Sequence, residues 1–351
     1  MLRSYIEKYE RTFHARDNDR RSLPFEWGLD HVGLDCARSN EEAAAAIARY
    51  AANALHDSDG FYGYAPTDRY EFDGHILKFP SFIETPYASN NTVWGRFFDG
   101  GRNLAVVVLP HWNCTWEGHL GLCRALQRSH ISALRLSLPY HHHRKPDEIE
   151  RSEYLVSPNV GRTLTAARQA VVDARRAADW LLDRGHRRVA VVGASIGSCI
   201  AFLTFVHDER FSGGVFLHAS GHFADVVWSG LSTSHVRRAL EGRISLDQLR
   251  MAWSPISPFP FIPRLRGTKR RMLIVSGEYD LTFPPELSRK AHEELERYSI
   301  PAQVLWLPCG HYTLGRFPFN AIAGYRILRF LIEELIGAGS GNLRSQGRRG
   351  N

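Results

Sequence analysis

Residues Val189 to Ala201, VAVVGASIGSCIA, decide the fold: an apolar run meets Gly-Ala-Ser-Ile-Gly and then a second apolar run. A continuously apolar run suits a strand buried on both faces, and the run after the glycine turn is long enough to open a helix. Two chemistries use such a turn. A dinucleotide fingerprint needs G-x-G-x-x-G, but Ser195 stands where the middle glycine should be and Cys199 near where the third should fall, so a dehydrogenase reading lacks its glycines. A nucleophile elbow needs G-x-S-x-G, which Gly193, Ser195 and Gly197 supply. In an elbow the central residue takes a strained turn, and its flanking positions have no room for Cβ atoms where strand and helix nearly touch.

The pattern is short, and its weight depends on partners in the right order. In an elbow fold the acid follows a later strand and the histidine follows the last one. LIVSGEYDLTFPPE puts Asp280 just past an apolar strand, and VLWLPCGHYTL puts His311 just past the final strand. A serine hydroxyl is a poor nucleophile at neutral pH, so His311 is expected to accept its proton while Asp280 fixes the imidazole tautomer. Glu278 is the local competitor for the acid, and Asp225, after the preceding strand, the distant one. The oxyanion needs two donors. One is the N–H of Ile196, and the other comes from the loop Leu109-Pro110-His111-Trp112-Asn113, with Trp112 the first choice, His111 and Asn113 close behind, and Pro110 excluded for want of an N–H.

Outward from the elbow, strands and helices alternate. NLAVVVLP, a helix over Glu117 to Arg128, ISALRLSLP, a long helix over about 160 to 184, RRVAVVGAS, SGGVFLHAS, RRMLIVSGEYD, AQVLWLP and a last helix over about 318 to 336 predict an α/β chain, its mostly parallel sheet covered by helices on both faces. YEFDGHILKFP and TVWGRFFDG predict an antiparallel edge. Residues 1–66 read as a helical extension, with Ser39 to Glu42 as a capping signal before an alanine-rich helix. Residues 67–336 form the main domain. Within it, 221–268 is a long insertion between two sheet strands, rich in aromatic residues, and is expected to be a helical lid.

These residues and their order resemble an α/β-hydrolase of the serine type over about residues 70 to 336. Within that superfamily, Pro139-Tyr140-His141-His142-His143-Arg144-Lys145-Pro146, the stretch Gly193 to Ile200 and the pair Trp27-Gly28 resemble the group of abhydrolase domain-containing protein 18. The resemblance implies an α/β-hydrolase fold, a Ser195-Asp280-His311 triad and hydrolysis through an acyl-enzyme.

Composition narrows the remaining classes. The chain has 351 residues, 44% of them apolar, enough for a substantial core. It offers no secretory h-region and no span of the length a membrane helix needs, and five scattered cysteines without a C-x-x-C pair suit a reducing, cytoplasmic setting. The net charge of +7 includes three arginines in the tail 337–351, which reads as a disordered basic tail and not as a nucleic-acid arm. His141 to His143 point to different sides of an extended segment and are not expected to hold a metal. His111, Tyr140, Trp228 and Trp253 are expected to line a substrate pocket, core packing being the competing reading for the two tryptophans and a solvent-facing loop position that for Tyr140. The expectation is a serine esterase with a small-molecule acyl substrate and no cofactor. The rival is a non-catalytic scaffold of the same fold that binds a hydrophobic ligand or a partner protein.

Overall fold

The structure is a computed structural model in which residues 2–16, 20–101 and 103–336 are described. The basic tail 337–351 lies outside the described residues.

Three helices open the chain: α1 (Leu2–Arg16), α2 (Asn40–His56) and α3 (Ser58–Phe61). Ser39 caps α2, its Oγ accepting the Glu42 N–H at 3.2 Å. The short β-rich runs then become β1 (Glu71–Phe72), β2 (Ile76–Pro80) and β3 (Thr92–Phe98). From there elements alternate: β4 (Leu104–Leu109), α4 (Leu120–Arg128), β5 (Ser132–Leu136), α5 (Val160–Asp183), β6 (Arg188–Ala194), α6 (Ile196–Val206) and β7 (Phe211–Leu217). The insertion supplies α7 (Phe223–Ser229), α8 (Ser234–Leu240) and α9 (Leu246–Ala252), and the chain closes with β8 (Arg271–Gly277), α10 (Pro285–Arg297), β9 (Ala302–Leu307) and α11 (Phe319–Ile336). The helix expected from Glu117 begins three residues later, because 113–119 is folded into a loop with Asn113 and His119 at positive φ.

Among the described residues the strands make one nine-stranded sheet in the order β1-β2-β3-β5-β4-β6-β7-β8-β9. β1, β2 and β3 form the antiparallel edge, and β3 joins β5 antiparallel; β5 through β9 are parallel. Parallel strands must be covered on both faces, and alternate residues of each strand serve opposite cores. Ala105, Val107, Val189 and Val191 face the layer of α2, α5, α6 and the 221–268 helices, whereas Val106, Val108, Ala190 and Val192 face α4 and α11. No described helix is long and apolar enough to cross a membrane.

The strand order places the site. The chain leaves β4 toward β5 and returns to β6 on the other side, so the crevice between the ends of β4 and β6 is the switch point of the sheet, where ligands collect in such folds. Leu109 and Gly193 are register partners across it, so the loop after β4 lies beside the turn after β6.

Candidate active site

The turn at Gly193–Gly197 is built by steric exclusion. A Cβ on Gly193 would overlap the Gly197 carbonyl, and one on Gly197 would reach the Leu109 carbonyl and come within 2.5 Å of the Pro110 carbonyl oxygen. Ser195 sits between them at φ +57° and ψ −124°, a conformation that costs a non-glycine residue about 1–3 kcal/mol and clusters at functional sites. Its N–H donates to Leu217 O at 2.9 Å, continuing the sheet pairing, and Ser198 Oγ donates to its carbonyl at 2.7 Å. Ser195 Oγ has no hydrogen-bond partner among the described residues and faces a cavity of about 1100 Å³ that is also lined by Ile196, His218 and His311.

Asp280 follows β8 and is 2% exposed. Its Oδ1 accepts the N–H groups of Thr282 at 2.7 Å and Phe283 at 2.8 Å, which leaves Oδ2 for the histidines. His311 Nδ1 lies 3.1 Å from Oδ2, so that nitrogen carries the donated proton and Nε2 is left as the basic one. Phe283 stacks on the His311 ring, 5.4 Å away and 5° from parallel. Burial pulls the His311 pKa down, but the Asp280 carboxylate, by charge and hydrogen bond, and Glu10 together hold it above the ordinary imidazole value. Burial alone would raise Asp280, yet His311 and His218 hold it below the usual carboxylate range. The competitors for the acid stand elsewhere: Asp225 is paired with Arg250 through both oxygens at 2.6 and 3.0 Å, and Glu278 is exposed.

His218 was not anticipated. It follows β7 at φ +58°, is buried, and brings Nδ1 to 2.7 Å from the same Asp280 Oδ2, at an angle that falls short of a hydrogen bond. Its ring lies 4.3 Å from that of His311. Four successive strand ends therefore contribute one residue each: Ser195 after β6, His218 after β7, Asp280 after β8 and His311 after β9. The signal in the sequence was a histidine one residue past the run GGVFL, at a strand end between those of the serine and the acid.

The loop after β4 is tied down from beneath by the histidine run. His141, fully buried and pushed down to about 3 by burial, accepts the Asn113 N–H at Nε2 (3.0 Å) while its Nδ1 lies 2.9 Å from the Pro139 carbonyl. His142 Nε2 lies 2.6 Å from the Cys114 carbonyl, and His143 packs between Trp94 and Trp116. Asn113 is thereby removed as an oxyanion donor, its amide being already engaged. The N–H groups of His111, Trp112 and Ile196 have no hydrogen-bond partner among the described residues.

The pocket expectations need correction. His111 and Trp112 line the cavity, but Tyr140, Trp228 and Trp253 do not. Tyr140 is 1% exposed and packed edge-on against Tyr87 and Tyr154. Trp253 is fully buried, its Nε1 donating to Val160 O at 3.0 Å, with Phe223, which does line the cavity, edge-on against it. Trp228 is half-buried beneath Arg237. The walls are instead mixed, with Cys199, Val226, Leu122 and Ile327 beside the rings of Phe13, Phe223 and Phe283.

Two groups bring three ligand-type atoms within 4.8 Å of one another: His218, Asp280 and His311, and His111, Cys114 and His119. In the second, His111 Nδ1 and His119 Nε2 are already hydrogen-bonded at 2.9 Å, and the buried Arg135 guanidinium lies 3.6 Å from Cys114 Sγ. A fixed cation at that distance opposes a second one, so this donor set does not suit a metal ion.

With the geometry in hand, solved structures provide the comparison. Acetyl xylan esterase 1 from Thermoanaerobacterium sp. JW/SL YS485 superimposes with a TM-score of 0.60 at 13% identity, covering 83% of this chain and 93% of its own. The acetyl xylan esterase from Paenibacillus sp. R4 gives 0.57 at 16% identity over 88% and 99%. The Pyrococcus horikoshii acylaminoacyl peptidase gives 0.55 at 12% identity over 74% of this chain and 41% of its own. The chain has the α/β-hydrolase fold. No family model matches it, and no curated protein matches it in sequence. At these identities the likeness carries the fold, and any chemistry of this chain rests on its own residues.

Proposed function

We propose that the chain is a serine hydrolase that cleaves a carboxylic ester through an acyl-enzyme. The observation that carries this reading is Ser195, strained at φ +57° and open to the cavity that also holds the Asp280-bound His311. Ser195 Oγ attacks the ester carbonyl and His311 Nε2 takes its proton. Asp280 keeps the other ring proton on Nδ1 and steadies the imidazolium. The oxyanion is held by the N–H of Ile196 and that of Trp112, with His111 the alternative now that Asn113 is engaged. The alcohol leaves with the proton from His311, and a water activated by the same nitrogen releases the acid.

The proposed pocket is His111, Trp112 and the mixed aliphatic and aromatic walls of the cavity. We assign 221–268 as its lid, because Phe223, Val226, Val227 and Thr233 of that segment face the cavity. The domain division follows: residues 1–66 as a helical layer, which contacts the lid through α2 on α9, and 67–336 as the hydrolase domain. The likeness to the group of abhydrolase domain-containing protein 18 belongs to the same reading, in which the histidine run serves the oxyanion loop. All five cysteines are unpaired, which supports placing the enzyme in the reducing cytoplasm.

The test is labelling with a fluorophosphonate probe, together with hydrolysis of p-nitrophenyl butyrate. Wild type is expected to label and turn over, and Ser195→Ala to do neither. A folded wild type that neither labels nor hydrolyses would sink the hydrolase and favour the scaffold.

A further inference from the structure

We propose that Glu10, on the N-terminal helix α1, is a positioning residue for the base: its carboxylate holds the loop that carries His311. The inference rests on the hydrolase reading above.

Glu10 is fully buried. Its two oxygens accept the Tyr312 N–H at 3.0 and 3.1 Å, and Oε1 also accepts the Thr313 N–H at 2.9 Å. Thr313 Oγ1 in turn accepts the Gly310 N–H at 2.7 Å, so the amides on both sides of His311 are committed within one network. Gly310 has no Cβ because the carboxylate needs the space: a Cβ there would come within 2.6 Å of Glu10 Cγ. A loop that needed only a cap could supply one from its own side chains. Here the acceptor comes from about three hundred residues away and carries charge.

The manner in which α1 is docked sharpens the point. Among its described residues only Ile6 and Glu10 are buried. Two further ties run to the same loop and its sequel: Phe13 stacks on Tyr312 at 6.1 Å, and Arg316 lies over Phe13 at 4.8 Å. A helix that buries so little apolar surface gains little stability by docking. Burying a carboxylate is costly unless its oxygens are satisfied, and the donors that satisfy Glu10 are the two amides that follow His311.

Several charged and titratable groups face this assembly. Asp280 and His218 meet His311 from the ends of β8 and β7, and His111 faces it from the loop after β4. Cys309, buried beside Asp280, Glu10 and Glu278, is held as the thiol. Arg20 donates to the Tyr312 hydroxyl at 3.1 Å. Burial raises Glu10 above the usual carboxylate range, while the Tyr312 and Thr313 amides and His311 oppose that rise. In return Glu10 helps lift His311. The carboxylate thus favours the imidazolium that forms as Ser195 is deprotonated.

The experiment compares wild type, Glu10→Gln, Glu10→Asp and, as a control on the same helix, Glu7→Gln, whose partner is Arg3 at the surface. Each is assayed for pH-dependent hydrolysis of p-nitrophenyl butyrate, fluorophosphonate labelling rate and Tm. Glu10→Gln is expected to lower kcat between about tenfold and a hundredfold with KM changed by less than about twofold, as a slightly misplaced base does. Its acid limb is expected to move to lower pH, because a negative charge beside His311 has gone. Glu10→Asp keeps the charge and loses reach, so kcat falls while the limb stays near that of wild type. Glu7→Gln is expected to match wild type.

A Glu10→Gln protein whose kcat and acid limb equal those of wild type, whatever its Tm, makes Glu10 an ordinary anchor and overturns the proposal. If Glu10→Gln does not fold, Glu10→Asp decides: wild-type kcat or a lowered limb overturns it, and a lowered kcat on an unmoved limb supports it. Failure of wild type to label would defeat the hydrolase reading itself, whereas a labelled wild type with an indifferent Glu10 defeats only this inference.

Discussion

The elbow at Gly193–Gly197 and the histidine loop at Cys309–Thr313 meet in one cavity and are held by opposite means. The elbow is a backbone device. Two absent Cβ atoms let the start of α6 touch β4 and β6, and the strained serine is locked by pairing with Leu217. The histidine loop is a polar device, in which amides and imidazole are held by carboxylates from α1 and the end of β8. Sterics of the first kind tolerate no substitution, while polar tethers of the second kind can be cut one at a time with the fold intact. If the contrast is real, variants of the elbow lose structure and activity together, and variants of the loop lose activity first.

The largest effect is therefore expected at Gly197→Ala. Its Cβ meets two backbone carbonyls that cannot turn aside, so destabilisation of about 4 kcal/mol or more and loss of labelling are expected, measured by urea unfolding and the fluorophosphonate probe. Gly324→Ala, in α11 with nothing within 4 Å of the added Cβ, is the control and should be neutral or stabilising by about 0.5–1 kcal/mol. A Gly197→Ala protein as stable as wild type would show that the elbow yields, and the contrast would collapse.

Asp280→Asn comes next. An amide in place of the carboxylate favours the wrong tautomer of His311, and a loss of about ten-thousandfold in kcat is expected with the fold retained. Circular dichroism and p-nitrophenyl butyrate turnover measure the two together. Glu278→Gln and Asp225→Asn should stay within about twofold of wild-type kcat, since neither reaches His311. Inactivation by Glu278→Gln with an active Asp280→Asn would reverse the assignment of the acid.

The pH profile of wild type tests the same loop without a mutation. In the proposed mechanism His311 must be neutral to accept the serine proton, and Asp280 and Glu10 hold it above its ordinary value despite burial, so the acid limb of kcat/KM is expected above about pH 6.5. Stability runs the other way. A pKa raised on folding means that the protonated ring is the better-held form, so its contribution is fully present below the unfolded imidazole value and is lost as pH rises through the folded one. A limb below pH 6.5 would mean that burial wins over the two carboxylates.

The same contrast explains what the sequence could tell. The elbow was legible because its determinants lie within five residues, Gly193 to Gly197, between two apolar runs. The meeting of Asp280 and His311 at neighbouring strand ends was legible by order, because a parallel sheet delivers each strand end to the same edge. Glu10 was not: in EKYERTFHAR it looks like any charged residue of a solvated helix, and only the tertiary structure buries it. The aromatic residues misled for a related reason. Trp228 and Trp253 sit in the segment that covers the cavity, but which face of a short helix meets the cavity depends on packing against α2, α5 and α8 that no local pattern encodes. The histidine run had no readable task because its partners, the Asn113 amide and the Cys114 carbonyl, are backbone groups.

His218 gives the smallest loss expected of any side chain at the Asp280 carboxylate, and the finest test of the loop. It shares the Asp280 oxygen with His311, yet burial, the charge of His311 and only partial opposition from Asp280 keep it below the ordinary imidazole value, and so neutral during turnover. A neutral neighbour steadies a carboxylate without setting the charge beside the base. His218→Asn keeps a residue that tolerates the positive φ of 58°. It is expected to cost about 1 kcal/mol, roughly fivefold in kcat, and to leave the acid limb where it is. Glu10→Gln should move that limb. If instead His218→Asn moves it as far, the titrating proton is shared between the two rings, and the unit that accepts the serine proton is the pair and not His311 alone.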